Sequence, residues 1–277
     1  DDDVYRKNMV VFTTDQIGYV FYVDSSRDLV YKKSTDGGVT WDSKVSVHAS
    51  ANSTGPMIWY DGWTPGDSGT KIHVIHVNDT ANDLYYAELD TATDTLSTPV
   101  DIGGSHTGGW ENYNRYYISK STNGNLFAAL INDDQASFGV QCSTTCTSGG
   151  NWSDMGGTFP FSNQIDGDII LMPIENGDML GINQRDSTGG IYYAKYTIST
   201  ATWSSETYLT ANTQNDSYRS SWGASVKPDD FNVYFGYSNY PYDGTQDFNT
   251  YIYDSGTWTA KAAVDGNNAQ VPSVAFS

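Results

Sequence analysis

A tryptophan-centred pattern returns along the chain at a nearly fixed interval, and no other feature constrains the fold as tightly. Starting at Trp41, a hydrophobic–turn–Trp–small–hydrophobic signature recurs at Leu96 ("TLSTPVDI"), Trp152 ("NWSDMGGT"), Trp203 ("TWSSETYL") and Trp258 ("TWTAKAAV"), with spacings of 55, 56, 51 and 55 residues. Ahead of each anchor lies an aromatic, β-prone run: "LVYKKS", "LYYAEL", "FGVQCS", "IYYAKY" and "TYIYDS". A second run precedes it ("IGYVFYV", "TKIHVIHV", "NLFAALI", "DMLGINQ", "NVYFGYS"), and a first opens each unit ("NMVVFTT", "PMIWY", "RYYISKS", "DIILMPI", "SWGASV"). Asp, Gly, Asn and Ser turns separate these runs, and no stretch carries a helical period.

Each unit therefore reads as four short strands. A single sheet of that size cannot bury both of its faces, whereas five sheets set radially cover one another. The expected fold is all-β, a β-propeller of five four-stranded antiparallel blades forming one domain over residues 1–277. The units run approximately 1–50, 51–105, 106–162, 163–212 and 213–266, and 267–277 ("NNAQVPSVAFS") is either a closing strand or the first strand of a sixth blade.

Charge narrows the partners. Fourteen Lys and Arg against 33 Asp and Glu leave a net charge of −19, which excludes the basic footprint that nucleic acids and anionic membranes require. No apolar run approaches the roughly 18 residues that span a bilayer. No charged-then-apolar leader opens the sequence, so the chain is expected to begin mature or to be an excised piece. An acidic, lysine-poor surface suits an extracellular or surface-exposed protein. Cys142 and Cys146 enclose only "STT", a spacing for a local disulfide in an oxidising compartment, and no second Cys or His pair stands near enough to make a metal site. Sequons at Asn52, Asn78, Asn151 and Asn215 fit the same compartment. No cofactor is expected.

The stretch "STDGGVTW" resembles the Asp-box, S-x-D-x-G-x-T-W, of the sialidase (BNR-repeat) superfamily. In physical terms it is a hairpin device. The Asp36 carboxylate accepts N–H bonds within the loop that Ser34 opens, Gly37 and Gly38 supply unusual dihedrals, and Trp41 plugs a gap in the blade. The layout from Tyr5 to Trp41 and the fourth unit, "DGDIILMPIENGDMLGINQRDSTGGIYYAKY", follow the same family pattern. The resemblance implies a clamp of arginines on an anionic ligand, because planar guanidinium forks grip carboxylates with directed bonds. Of five arginines, Arg6 matches the first clamp position and Arg185 the second; Arg219 and Arg115 open the first strands of their units.

The hydrolytic set that the resemblance implies is incomplete. The loop "VHASANSTG" holds no carboxylate, and the tail holds no tyrosine. Asp168 or Asp166 stands near the expected Glu position, and Glu111, beside Trp110 and Tyr113, is the other acid–base candidate. His73 and His76, three apart on a strand, face opposite sides and do not enter one site. Aromatic and polar residues mix near Trp63, Trp110, Tyr113 and Trp222, the combination that stacks on sugar rings and holds their hydroxyls. Together these features lead to an expectation of glycan recognition, of acidic glycans in particular, with a sialidase-like glycoside hydrolase as the activity if there is one. The competing readings are a non-catalytic structural or adhesive propeller assembled with other chains, and a different polysaccharide-active enzyme on the same scaffold.

Overall fold

The computed structural model describes residues 9–49, 53–78, 81, 83–104, 106, 115–131, 137–161, 168–185, 190–211, 222–238 and 248–261. They form five antiparallel sheets, each four strands deep, consistent with a five-bladed propeller. Sheet I contains β1 (Val10–Phe12), β2 (Gly18–Val23), β3 (Leu29–Ser34) and β4 (Val45–His48). Sheet II contains β5 (Ser53–Tyr60), β6 (Lys71–Asn78) and β7 (Asp83–Asp90), with its fourth place shared by β8 (Thr95–Leu96) and β9 (Val100–Asp101). Sheet III contains β10 (Arg115–Lys120), β11 (Leu126–Ile131), β12 (Phe138–Cys142) and β13 (Ser153–Asp154). Sheet IV contains β14 (Asp168–Pro173), β15 (Met179–Arg185) and β16 (Gly190–Thr197), with β17 (Thr202–Trp203) and β18 (Thr207–Ala211) sharing the fourth place. Sheet V contains β19 (Trp222–Val226), β20 (Val233–Ser238), β21 (Phe248–Asp254) and β22 (Thr257–Ala260). The segment 267–277 lies outside the described residues.

The split fourth strands have a common cause. In sheets II and IV the strand is interrupted by a serine whose hydroxyl stands in for a ladder carbonyl. Glu88 N donates to Ser97 Oγ at 2.9 Å while Ser97 N donates to Glu88 O at 2.8 Å, and Lys195 and Ser204 repeat the exchange at 3.0 and 2.8 Å. The backbone groups stay satisfied while the strand turns away.

Strand parity decides which sheet meets which. In sheet II, Ile58, Ile72, Val74, Ala87 and Leu89 join Val11, Tyr19, Phe21 and Leu29 of sheet I in one core. Met57, Trp59, Ile75, Val77, Leu84 and Tyr86, on the alternate positions, face sheet III in a second core that continues to sheet V. Both faces of the sheet are buried, which is why its strands read as nearly unbroken apolar runs. The repeated tryptophans bind the sheets to one another: Trp152 of sheet III packs 5.2 Å from Tyr86 of sheet II, and Trp258 of sheet V packs 5.8 Å from Tyr193 of sheet IV.

The turn after β3 is closed by its own side chains. Ser34 Oγ donates to Asp36 Oδ1 at 2.8 Å and accepts Gly38 N at 2.8 Å, while Thr40 donates its N–H and hydroxyl to the two Asp36 oxygens at 2.8 and 2.6 Å. The Thr40 hydroxyl and N–H bonds, with that of Ser34, pull the Asp36 carboxyl down to about 2. Gly37 and Gly38 adopt φ of 73° and 87°, and Trp41 meets Phe12 edge-on at 6.4 Å. A disulfide joins Cys142 to Cys146 across 5.7 Å between Cα atoms.

Candidate functional site

Because strands alternate in direction, every first strand begins at one end of its sheet, called the upper end below, and every first-to-second turn lies at the lower end. Consecutive first strands β5, β10, β14 and β19 stand beside one another. Their starts therefore bring side chains distant in sequence to one end: Arg115 begins β10, Asp168 begins β14 and Trp222 begins β19.

Asp168 and Trp222 meet directly. The indole Nε1 of Trp222 donates to Asp168 Oδ2 at 2.8 Å, tying sheet V to sheet IV, and the backbone N–H of Ile169 donates to Asp168 Oδ1 at 2.8 Å. Asn183 of β15 supports the corner from below, its Nδ2 donating to the Asp168 carbonyl at 2.9 Å. The Trp222 ring is held edge-on by Phe235 at 5.8 Å. Each carboxylate oxygen thus accepts one fixed N–H, which sets the orientation of the group. Arg115 is only 2 % exposed and stands in the wall of this end. Arg185 closes β15 on the strand that pairs with β14, so its backbone also lies at the upper end.

Trp63 is not part of this corner. It follows β5 at the lower end, in a short helical turn (Asp61–Trp63), where it packs 5.8 Å from Trp59 and 6.4 Å from Tyr60. The expectation that grouped it with Trp222 overlooked that a residue after a first strand lies a strand's length from one before it. Arg6, Trp110, Glu111, Tyr113, Asp166 and Arg219 lie outside the described residues.

Two polar clusters had no sequence signal beyond their residue types. At the lower end, Asp61 is 2 % exposed and accepts from His73 Nε2 at 2.9 Å, Lys120 Nζ at 2.6 Å and the Lys71 N–H at 3.0 Å. Lys120, from sheet III, also reaches Asp67 at 2.8 Å, and His73 Nδ1 lies 2.8 Å from the Tyr86 hydroxyl, which donates to Glu88 at 3.0 Å. Burial alone would raise the Asp61 carboxyl. The bond and attraction of His73, then Lys120 and the Lys71 N–H, outweigh it and hold the group well below the usual carboxylate range. Lys120 is pushed up: burial opposes its charge, but its bonds to Asp61 and Asp67 prevail. A Cβ at position 69 would overlap the Asp61 carboxylate, which accounts for Gly69 there. At the upper end between sheets I and II, His48 and His76 touch. The two histidines of β6 do face opposite sheets, His73 toward sheet III and His76 toward sheet I.

No family model matches the sequence, and no curated protein is detectably similar to it. Solved structures do share its fold. An ulvan lyase, a polysaccharide lyase, superposes with a TM-score of 0.60 at 10% identity, covering 95% of this chain and 72% of its own. The NanB sialidase of Streptococcus pneumoniae gives a TM-score of 0.60 at 10% identity over 94% of this chain and 61% of the sialidase. The Aleuria aurantia lectin gives 0.54 at 14% identity over 90% and 75%. Similarity at this level is one of architecture: a propeller-like all-β fold that also occurs in carbohydrate-active and carbohydrate-binding proteins. Among the described residues no helix is long and apolar enough to cross a membrane, and no group of three or more His, Cys, Asp or Glu is placed to hold a metal ion.

Proposed function

We propose that the chain is an extracellular or surface-displayed glycan-recognising propeller that takes acidic carbohydrate at its upper end, with the Asp168–Trp222 corner as a contact. The observation that carries this reading is the 2.8 Å indole–carboxylate bond, which fixes an acceptor and an aromatic ring side by side where consecutive first strands begin. Sugar hydroxyls are held by such oriented acceptors; the Trp222 ring, 8 % exposed, is the buried support that aims the Asp168 carboxylate. Arg115 and Arg185 belong to the same end, and Arg6 and Arg219 extend the proposed clamp for a sugar carboxylate. The named neighbours support the class of ligand: the ulvan lyase was solved with a glucuronate-containing glycan, and the lectin with a fucosylated one.

Recognition does not require cleavage. General acid–base hydrolysis needs two matched groups about the scissile bond. Asp168 and Glu111 are the proposed pair should the protein hydrolyse glycosides. Calorimetric titration with sialylated and glucuronate-containing oligosaccharides tests the binding. Asp168→Asn is expected to weaken it about 10- to 100-fold, the loss of a charge-assisted hydrogen bond. Equal affinity in the variant, or no binding by the native protein, would remove the proposal.

One observation favours a second reading, a structural or adhesive propeller. Val10 and Phe12 of β1 and Val39 of the turn after β3 are 47, 45 and 82 % exposed, apolar side chains suited to contact with another chain. Light scattering over a concentration series decides between a monomer and an assembly.

A further inference from the structure

The seam between sheets I and II is apolar along most of its length but ends at the top in two imidazoles. His48 closes β4, the outer strand of sheet I, and its Nδ1 lies 2.7 Å from Nε2 of His76 on β6. Tyr85 of β7 lies against both rings, 4.7 Å from His48 and 5.6 Å from His76. We propose that this pair is an acid-sensitive joint: neutral imidazoles close the upper seam, and their protonation releases sheet I from sheet II.

Proton counting leads to this conclusion. The space between the facing nitrogens holds one proton. His76 is fully buried and its Nδ1 has no hydrogen-bond partner, so the neutral pair places the shared proton on His76 Nε2, donating to His48, and leaves only a lone pair unmet. A second proton, on His48 Nδ1, would set N–H against N–H. Moving the His76 proton to Nδ1 relieves that clash only by burying an unpartnered donor. Every protonated arrangement therefore loses the contact or strands a polar hydrogen.

The facing groups do not cancel this. On sheet I, the Asp28 charge favours protonation of His48, but burial acts more strongly and pulls that ring down. On sheet II, burial and the neighbouring His48 bring His76 down to about 3. Tyr85 is neutral and pushed up, by burial first and then by Asp83 and Asp101. Burial and Asp101 also push Asp83 up, so acidification acts on that carboxyl in the opposite, stabilising sense. For a histidine with a depressed folded value, stability is fully present above its unfolded value of about 6.5 and is lost as pH falls toward the folded one.

Hydrogen–deuterium exchange at pH 7.5 and 5.0, corrected for intrinsic rates, tests the joint. Protection of β4 and β6 in the native protein is expected to fall about 30-fold, the ratio set by a group of unfolded value 6.5 and folded value 3. In His76→Gln the pH dependence should fall to the smaller part that the buried His48 contributes. His48→Gln, at a half-buried position, serves if that variant does not fold. Unchanged protection in the native protein, the same fall in both variants, or a fall shared equally by sheets III and IV would overturn the proposal.

Discussion

Asp61→Ala is expected to lower the stability of the folded chain by about 3–5 kcal/mol, the cost of leaving the Lys120 ammonium without its counter-charge and the buried donors around it without their acceptor. Lys120 Nζ loses its 2.6 Å partner and His73 its 2.9 Å one, while the Lys71 N–H is left without the carboxylate it donates to. Asp67, at 2.8 Å from Lys120, compensates only in part because it lies closer to solvent. For a chain of this size, 1 kcal/mol corresponds to about 2–4 °C, so the melting temperature should fall by about 6–20 °C. Replacing both partners, Asp61→Leu with Lys120→Met, should recover much of the loss, because the paired charges are costly to desolvate in the first place. If Asp61→Ala melted within a degree of the native protein, the cluster would not be a lock between sheets II and III. Its pH window differs from that of the histidine seam. A carboxyl held below its unfolded value of about 3.8 keeps its contribution above that pH and loses it only on further acidification.

The second large effect is expected at Trp152. Its ring is 8 % exposed, packs on Tyr86 of the preceding sheet at 5.2 Å, and donates Nε1 to the Cys146 carbonyl at 2.8 Å inside the disulfide-closed loop. Trp152→Ala opens a void between sheets II and III and should cost about 3–5 kcal/mol in denaturant unfolding. Trp152→Phe keeps most of the apolar contact and loses the hydrogen bond, so it should cost nearer 1–2 kcal/mol. Comparable losses for the two would mean that the bond, and not the buried ring, matters at this anchor.

The repeat made the strands readable because strand identity depends on local pattern. "KIHVIHV" and "LFAALI" are bounded by turns and too short for helices, and both became strands buried on two faces. Strand parity alone puts His73 and His76 on opposite faces. What the sequence could not show were the pairs formed by sheet stacking. Asp61 and Lys120 are 59 residues apart and His48 and His76 are 28 apart, so each pair exists only once one sheet lies against the next at a given height. The Asp168–Trp222 bond, spanning 54 residues, is of the same kind. The family resemblance points to Asp168 and the aromatic, polar surroundings point to Trp222, but neither points to the bond between them. Trp63 went the other way: composition placed it among ligand aromatics, whereas chain direction puts it at the lower end.

The eight tryptophans provide the most direct test of where a ligand sits, since each contributes one indole N–H signal to a nitrogen-15 correlation spectrum. On titration with an acidic oligosaccharide, the Trp222 signal should shift first and furthest, and Asp168→Asn should move that shift to about 10- to 100-fold higher ligand concentration. Trp63 and Trp59, at the lower end, should stay in place. A spectrum in which the lower-end signals move while Trp222 does not would contradict recognition at the end where the first strands begin.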